Sequence, residues 1–150
     1  MPKRLSDIYQ VRGRFQRSAR IDADLANEDP LAGYSFNDSA WEVLRQVFIH
    51  LTTSQQRAFT WTGPYGAGKS SLALFLASLV GTNVNLRKSA SKKVGKGRLA
   101  TLFKDNSEPN KGWIVLPAVG SQENPVASIR GAFRLAVKQR WPGRKPEKIK

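Results

Sequence analysis

Cysteine is absent from this chain of 150 residues, and histidine and methionine occur once each. Without cysteine there is no disulfide framework, no thiolate zinc site and no thiol nucleophile. The single histidine, His50, cannot build a multi-histidine metal site or a pair of catalytic imidazoles. Long apolar runs are missing as well. The longest, Leu72 to Val80 with Ser78 inside it, falls far short of the roughly 20 residues that span a bilayer. Lys3 and Arg4 have no apolar run behind them, so the pattern of a secretory signal is not met. Together these absences predict a soluble, cytoplasmic chain with no membrane partner.

Acidic residues are the other scarcity. Eleven Asp and Glu face 25 Lys and Arg, a formal net charge of +14. Such a field attracts polyanions: nucleic acid, nucleotides or an anionic membrane surface. The excess is uneven. Residues 1–69 hold nine basic and seven acidic side chains, whereas residues 70–150 hold sixteen and four. Arg87, Lys88, Lys92, Lys93, Lys96, Arg98 and Lys104 form a run with no acid until Asp105, and Lys138, Arg140, Arg144, Lys145, Lys148 and Lys150 form a second cluster. Such runs are ordinarily solvated surface. With no aromatic residue among residues 87–98, the alternative is phosphate contact without base stacking. Ser, Gly and Lys dominate there, which reads as a mobile loop.

A core is within reach. A folded chain of this length buries roughly 70% of the surface it exposes when unfolded, and 40% of the residues are apolar. Residues 1–29 show little pattern and read as a basic arm, with Arg12, Arg14, Arg17 and Arg20 spaced along it. Ser39 and Glu42 have capping-box spacing, and Ala40, Leu44, Val47, Phe48 and Leu51 then recur at helical intervals. His50 lies beside that face as a structural or surface residue. Residues 57–63 are β-prone and end at Gly63-Pro64, which predicts a strand. Residues 70–80 are apolar nearly all round, which predicts a helix buried on more than one side and ended by Gly81. The run Trp113-Ile114-Val115-Leu116 reads as a buried parallel strand ending near Pro117. Asn124 and Pro125 suit a helix start. Val126, Ile129, Phe133, Ala136 and Val137 supply its apolar face, and Trp141-Pro142-Gly143 its stop. The order helix, strand, helix, loop, strand, helix predicts an α/β fold with a parallel sheet.

Between the first predicted strand and its helix lies Gly63-Pro64-Tyr65-Gly66-Ala67-Gly68-Lys69-Ser70, which matches the Walker A pattern G-x-x-x-x-G-K-S/T. Gly63, Gly66 and Gly68 allow backbone angles denied to other residues and bring N–H groups close to a phosphate. Those groups form an anion-binding nest at the positive end of the next helix. Lys69 is placed to reach the β- and γ-phosphates, Ser70 to ligate Mg²⁺ and Ser71 to donate to the α-phosphate. A surface lysine at an ordinary helix start would not require three glycines in six residues.

The segment GPYGAGKSSLALFLASLVG resembles the Walker A region of AAA+ and STAND-type ATPases, and the likeness extends upstream to residue 31. The resemblance implies a three-layer P-loop NTPase sheet, ATP and Mg²⁺ as ligands, and an adenine contact from residues 31–36, with Tyr34 as the candidate. It divides the chain into the arm, 1–29, and a partial nucleotide-binding domain, 30–150, carrying a basic loop, 82–111, and a basic tail, 141–150. The Walker B carboxylate that such enzymes use to hold Mg²⁺ and orient water is not evident, since Asp105, Glu108, Glu123 and Glu147 close no apolar run. The expectation is therefore the N-terminal portion of a longer ATPase acting on nucleic acid or a protein. A non-hydrolysing basic nucleic-acid-binding domain and a small-molecule kinase are the alternatives. The nucleic-acid contacts would come from Arg87, Lys88, Lys92, Lys93, Lys96 and Arg98.

Overall fold

A computed structural model describes residues 4, 19–103, 111–120, 124–141 and 143. Among the described residues six helices follow in order: α1 (Ile21–Asp24), α2 (Asp38–Thr53), α3 (Lys69–Val80), α4 (Val84–Val94), α5 (Lys96–Leu102) and α6 (Pro125–Arg140). Among the described residues no helix is long and apolar enough to cross a membrane.

Helix α3 is the centre of the fold. Its residues Leu74, Phe75, Ala77, Leu79 and Val80 are buried, as a helix apolar on all sides requires. The buried Ser78 hydroxyl is satisfied inside the helix, donating to the Leu74 carbonyl at 2.8 Å. Helices α1 and α4 pack on α3, and α5 packs on both α2 and α4. Tyr34 and Phe36 stack on Phe75, with ring centroids 5.1 and 4.7 Å away. Phe48 from α2 meets Phe103 edge-on at 5.2 Å. Leu31, Leu44, Ala90, Val94 and Leu102 complete the cluster. Burying a Leu- or Phe-sized side chain contributes about 1.5–3 kcal/mol, so this cluster outweighs any one cap in holding α2, α3, α4 and α5 together.

Three helix starts are marked by asparagine. Asn37, Asn83 and Asn124 each accept backbone N–H bonds at the head of α2, α4 and α6. The predicted start of α2 therefore moves upstream. Asn37 takes the Ala40 N–H at 2.9 Å, and Glu42 turns outward to Arg45 and Gln46 and forms no capping box.

The predicted α/β fold with a parallel sheet is not what the chain forms. Among the described residues the only β pairing is one isolated parallel bridge, Gly81 with Trp113, where the Trp113 N–H donates to the Val80 carbonyl at 2.7 Å. Residues 57–63 and 114–120 are neither helix nor strand and join no ladder. A buried parallel strand needs a partner on each edge and cover on each face. Here Val115 and Trp61 pack on the core cluster, while Ile114 and Leu116 remain 44% and 41% exposed. Gly112 fixes the single bridge. At φ 75° it lies so close to the Gly81 carbonyl, Thr82 and the Arg87 guanidinium that a Cβ would collide with all three.

The predicted basic loop, 82–111, is helical over most of its length. Leu86, Ala90 and Val94 are buried at four-residue intervals. Ala90 and Val94 enter the core cluster, and Asn83 caps the start. The small apolar stripe was hidden among Ser, Gly and Lys. Residues 104–110 of that loop, most of the arm and most of the tail lie outside the described residues. The arm segment that is described, residues 19–29, packs on its own chain through α1. Helix α6 starts and stops as its signals predict, but its expected face divides. Ala136 and Val137 are buried, whereas Val126, Ile129 and Phe133 are exposed.

Candidate functional site

The glycine-rich loop and the start of α3 form one wall of a cleft of about 790 Å³. Gly68 is the N-cap residue, at φ 81° and ψ 11°, and having no side chain it supplies no cap. The left-handed conformation costs a residue with a Cβ roughly 1–2 kcal/mol, which is why glycine stands there. Gly66 has the same φ. The loop closes on itself through the Ala67 N–H, which donates to the Pro64 carbonyl at 3.3 Å. The first N–H groups of α3 have no carbonyl within the helix to bond. They lie at its positive end.

Lys69 is held over this loop. Its ammonium donates to the carbonyls of Gly63 at 2.8 Å and Pro64 at 2.7 Å. An ammonium has three donors, so one remains for a further acceptor while the loop fixes the charge in place. Gly63 and Pro64 act through these carbonyls, whereas Tyr65, Gly66, Ala67, Gly68, Lys69, Ser70 and Ser71 line the cleft itself. Tyr65 is 93% exposed.

The opposite wall comes from residues 24–34. Tyr34 lies there as expected. It is half-buried, stacks on Phe75 and still lines the cleft, so the core and ligand-facing readings of this tyrosine are compatible. Burial pushes its phenol above the ordinary value, leaving a neutral O–H at the cleft edge. The Tyr34 carbonyl accepts a bond from the Lys93 ammonium at 3.0 Å, which ties α4 to this wall. Asp24, Asn27 and Asp29 also line it and were not foreseen. The buried Asp24 carboxylate accepts from the Arg20 N–H at 2.7 Å and from Asn27 at 3.4 Å. Nothing local in residues 19–30 marks them, because only the packing of α1 on α3 brings them to the loop.

Among the described residues no group of three His, Cys, Asp or Glu is arranged to hold a metal. Asp105, Glu108, Glu123 and Glu147 lie outside the described residues. His50 is exposed near the end of α2.

No protein-family model, curated protein or solved structure matches this chain. The expected membership among AAA+ and STAND-type ATPases does not fit this chain. A P-loop NTPase carries its glycine-rich loop at the end of a sheet strand, and here the loop follows a segment that is not a strand and joins no sheet among the described residues. The local string is present without the architecture that the family would bring.

The six basic residues expected to meet nucleic acid also separate. Arg87 donates to the Gly81 carbonyl at 3.1 Å, Lys93 to the Tyr34 carbonyl, and Arg98 to Asp38 at 2.6 Å. Arg98 also lies over the Trp41 ring at 5.3 Å. These three hold elements together. Lys88, Lys92 and Lys96 are exposed.

Proposed function

We propose that this protein binds a nucleoside triphosphate, with ATP and Mg²⁺ as the ligands, in the cleft between the glycine-rich loop and Tyr34. The observation that carries the reading is the start of α3, where a left-handed glycine leaves the first N–H groups without a side-chain cap beside a lysine held in place by loop carbonyls. An anion there gains oriented N–H donors, the helix dipole and a full positive charge. Lys69 takes the β- and γ-phosphates, Ser71 the α-phosphate, and Tyr34, which lines the same cleft, the base ring. Mg²⁺ arrives on the phosphate oxygens and keeps water in its shell, with the exposed Ser70 hydroxyl as its protein ligand. A cleft of about 790 Å³ suits a ligand of nucleotide size, since small-molecule sites run from about 300 to 1,000 Å³. The reading covers binding alone. It goes with a cytoplasmic protein, and the net charge of +14 makes nucleic acid the second proposed partner.

Titration calorimetry of the full chain with ATP and Mg²⁺ tests the site. Binding should weaken from ATP to ADP to AMP as phosphates are lost. Lys69→Ala should weaken ATP binding by about 10- to 150-fold, since a hydrogen bond to a charged group contributes about 1.5–3 kcal/mol. Equal affinity for ATP and adenosine, or a correctly folded Lys69→Ala protein that binds as tightly as wild type, would sink the reading.

A further inference from the structure

Between Lys69 and Phe103 the chain has seven basic residues and no acid. Lys69 belongs to the cleft, and Arg87, Lys93 and Arg98 are engaged within the fold. That leaves Lys88, Lys92 and Lys96, all exposed and without a hydrogen bond or ion pair among the described residues. Their placement follows from the helix. Successive residues turn by about 100°, so Lys88 and Lys92 lie on one line, about 6 Å apart along the axis at roughly 1.5 Å per residue. The buried Leu86 and Ala90 lie half a turn away on the core side. Lys96 follows just after the turn at Gly95.

We propose that this outward face of α4, continued by Lys96, is a contact surface for the phosphate backbone of nucleic acid. The inference rests on the nucleic-acid partner proposed above and is independent of the nucleotide cleft. Three exposed lysines with no acid on α4 or α5 are unneutralised point charges, the form of contact that follows a phosphate chain and releases its counterions. Sequence reading is not expected, because the face carries no arginine fork or aromatic ring for base edges. An anionic membrane is the poorer fit. A helix lying in a bilayer interface buries its own apolar stripe in lipid, and the stripe of α4 is already buried in the protein core. Helix α6 presents a similar basic line, Arg130, Arg134 and Lys138, but beside exposed Val126, Ile129 and Phe133. Its surface is chemically mixed, whereas that of α4 offers charge.

The experiment is binding of a labelled mixed-sequence DNA duplex, followed by fluorescence anisotropy across a salt series. The affinity of wild type should fall steeply with salt. Lys88→Gln/Lys92→Gln/Lys96→Gln should lower the log–log salt slope by about 2–3, at roughly 0.9 per phosphate contact. Arg130→Gln/Arg134→Gln/Lys138→Gln removes the same formal charge from exposed positions and should leave most of the slope. Equal losses in the two triple variants would mean that binding follows net charge, which overturns the assignment to α4. A wild-type slope retained in the α4 variant overturns it as well. No duplex binding by wild type would remove the nucleic-acid partner altogether, and so would tighter binding to phosphatidylserine vesicles than to DNA that the α4 substitutions abolish. None of these outcomes bears on ATP binding, which Lys69→Ala reports separately.

Discussion

Helices α3 and α4 follow one another in the chain and pack together, yet they begin in opposite ways. Helix α4 opens on Asn83, whose side chain accepts the N–H groups of Asn85 and Leu86 at 3.0 and 3.2 Å. Helix α3 opens on Gly68 with no side-chain cap and a cleft in front of it. The caps at α2, α4 and α6 stabilise their helices locally, by about 1 kcal/mol each. The start of α3 forgoes that contribution. The helix tolerates the loss because its body, not its first turn, is buried, and the N–H groups that a cap would have taken stay available for an anion. An uncapped start can therefore sit on a deeply packed helix without weakening the fold.

The largest expected effect tests whether the body of α3 carries this burden. Phe75 is fully buried and stacks with both Tyr34 and Phe36. Phe75→Ala should cost about 3–5 kcal/mol, read as a lowered denaturation midpoint. A loss no larger than that of a cap substitution would show that α3 is not the central support.

Next come the two helix starts themselves. Gly68→Ala meets no atom within 4 Å, so its cost is conformational, about 1–2 kcal/mol for the left-handed geometry, and ATP affinity should fall with it. Asn83→Ala should cost about 1 kcal/mol of stability and leave ATP affinity unchanged. Paired melting and calorimetry would break the contrast if Asn83→Ala weakened ATP binding, or if Gly68→Ala left it intact.

The smallest effect belongs to a third helix. On α2 the Arg45 guanidinium beside Glu42 holds its carboxyl well below the ordinary 4.5, at about 2. A carboxylate whose value is lowered on folding stabilises the protein above its unfolded value and loses that contribution as pH falls through the folded one. The window is therefore from about 4.5 down to about 2. Both side chains are exposed and the pair is screened by solvent, so the change should be small. Glu42→Gln should flatten that part of the stability–pH curve, and an unaltered curve would show that the pair contributes nothing.

Local features were legible in the residue order. The all-round apolar run of α3, its end at Gly81 and the Asn124-Pro125 start of α6 are each expressed within a turn or two of chain. So is the glycine loop, whose backbone angles only glycine adopts freely. Elsewhere local signals misled. Ser39 and Glu42 had the spacing of a capping box, but Asn37, two residues earlier, took the role. Lysine and serine around Leu86, Ala90 and Val94 concealed a helix. The segments at 57–63 and 113–116 had the composition of strands, yet a strand is completed only by another backbone beside it. Asp24, Asn27 and Asp29 carried no signal because their relation to the loop is set by packing.

The sequence by itself determined the charge excess, the absence of thiol chemistry and a glycine-rich loop at the head of an apolar helix. These depend on residue type and on neighbours a few positions apart. Only the tertiary structure decided that the elements assemble as packed helices, that Tyr34 lines the same cleft as the glycine loop, and which lysines brace the fold and which remain exposed. Those outcomes depend on contacts between residues distant in the chain, such as Lys93 with Tyr34 and Arg98 with Asp38. Such contacts form only when burial of a shared core outweighs the entropy of closing the loops between them.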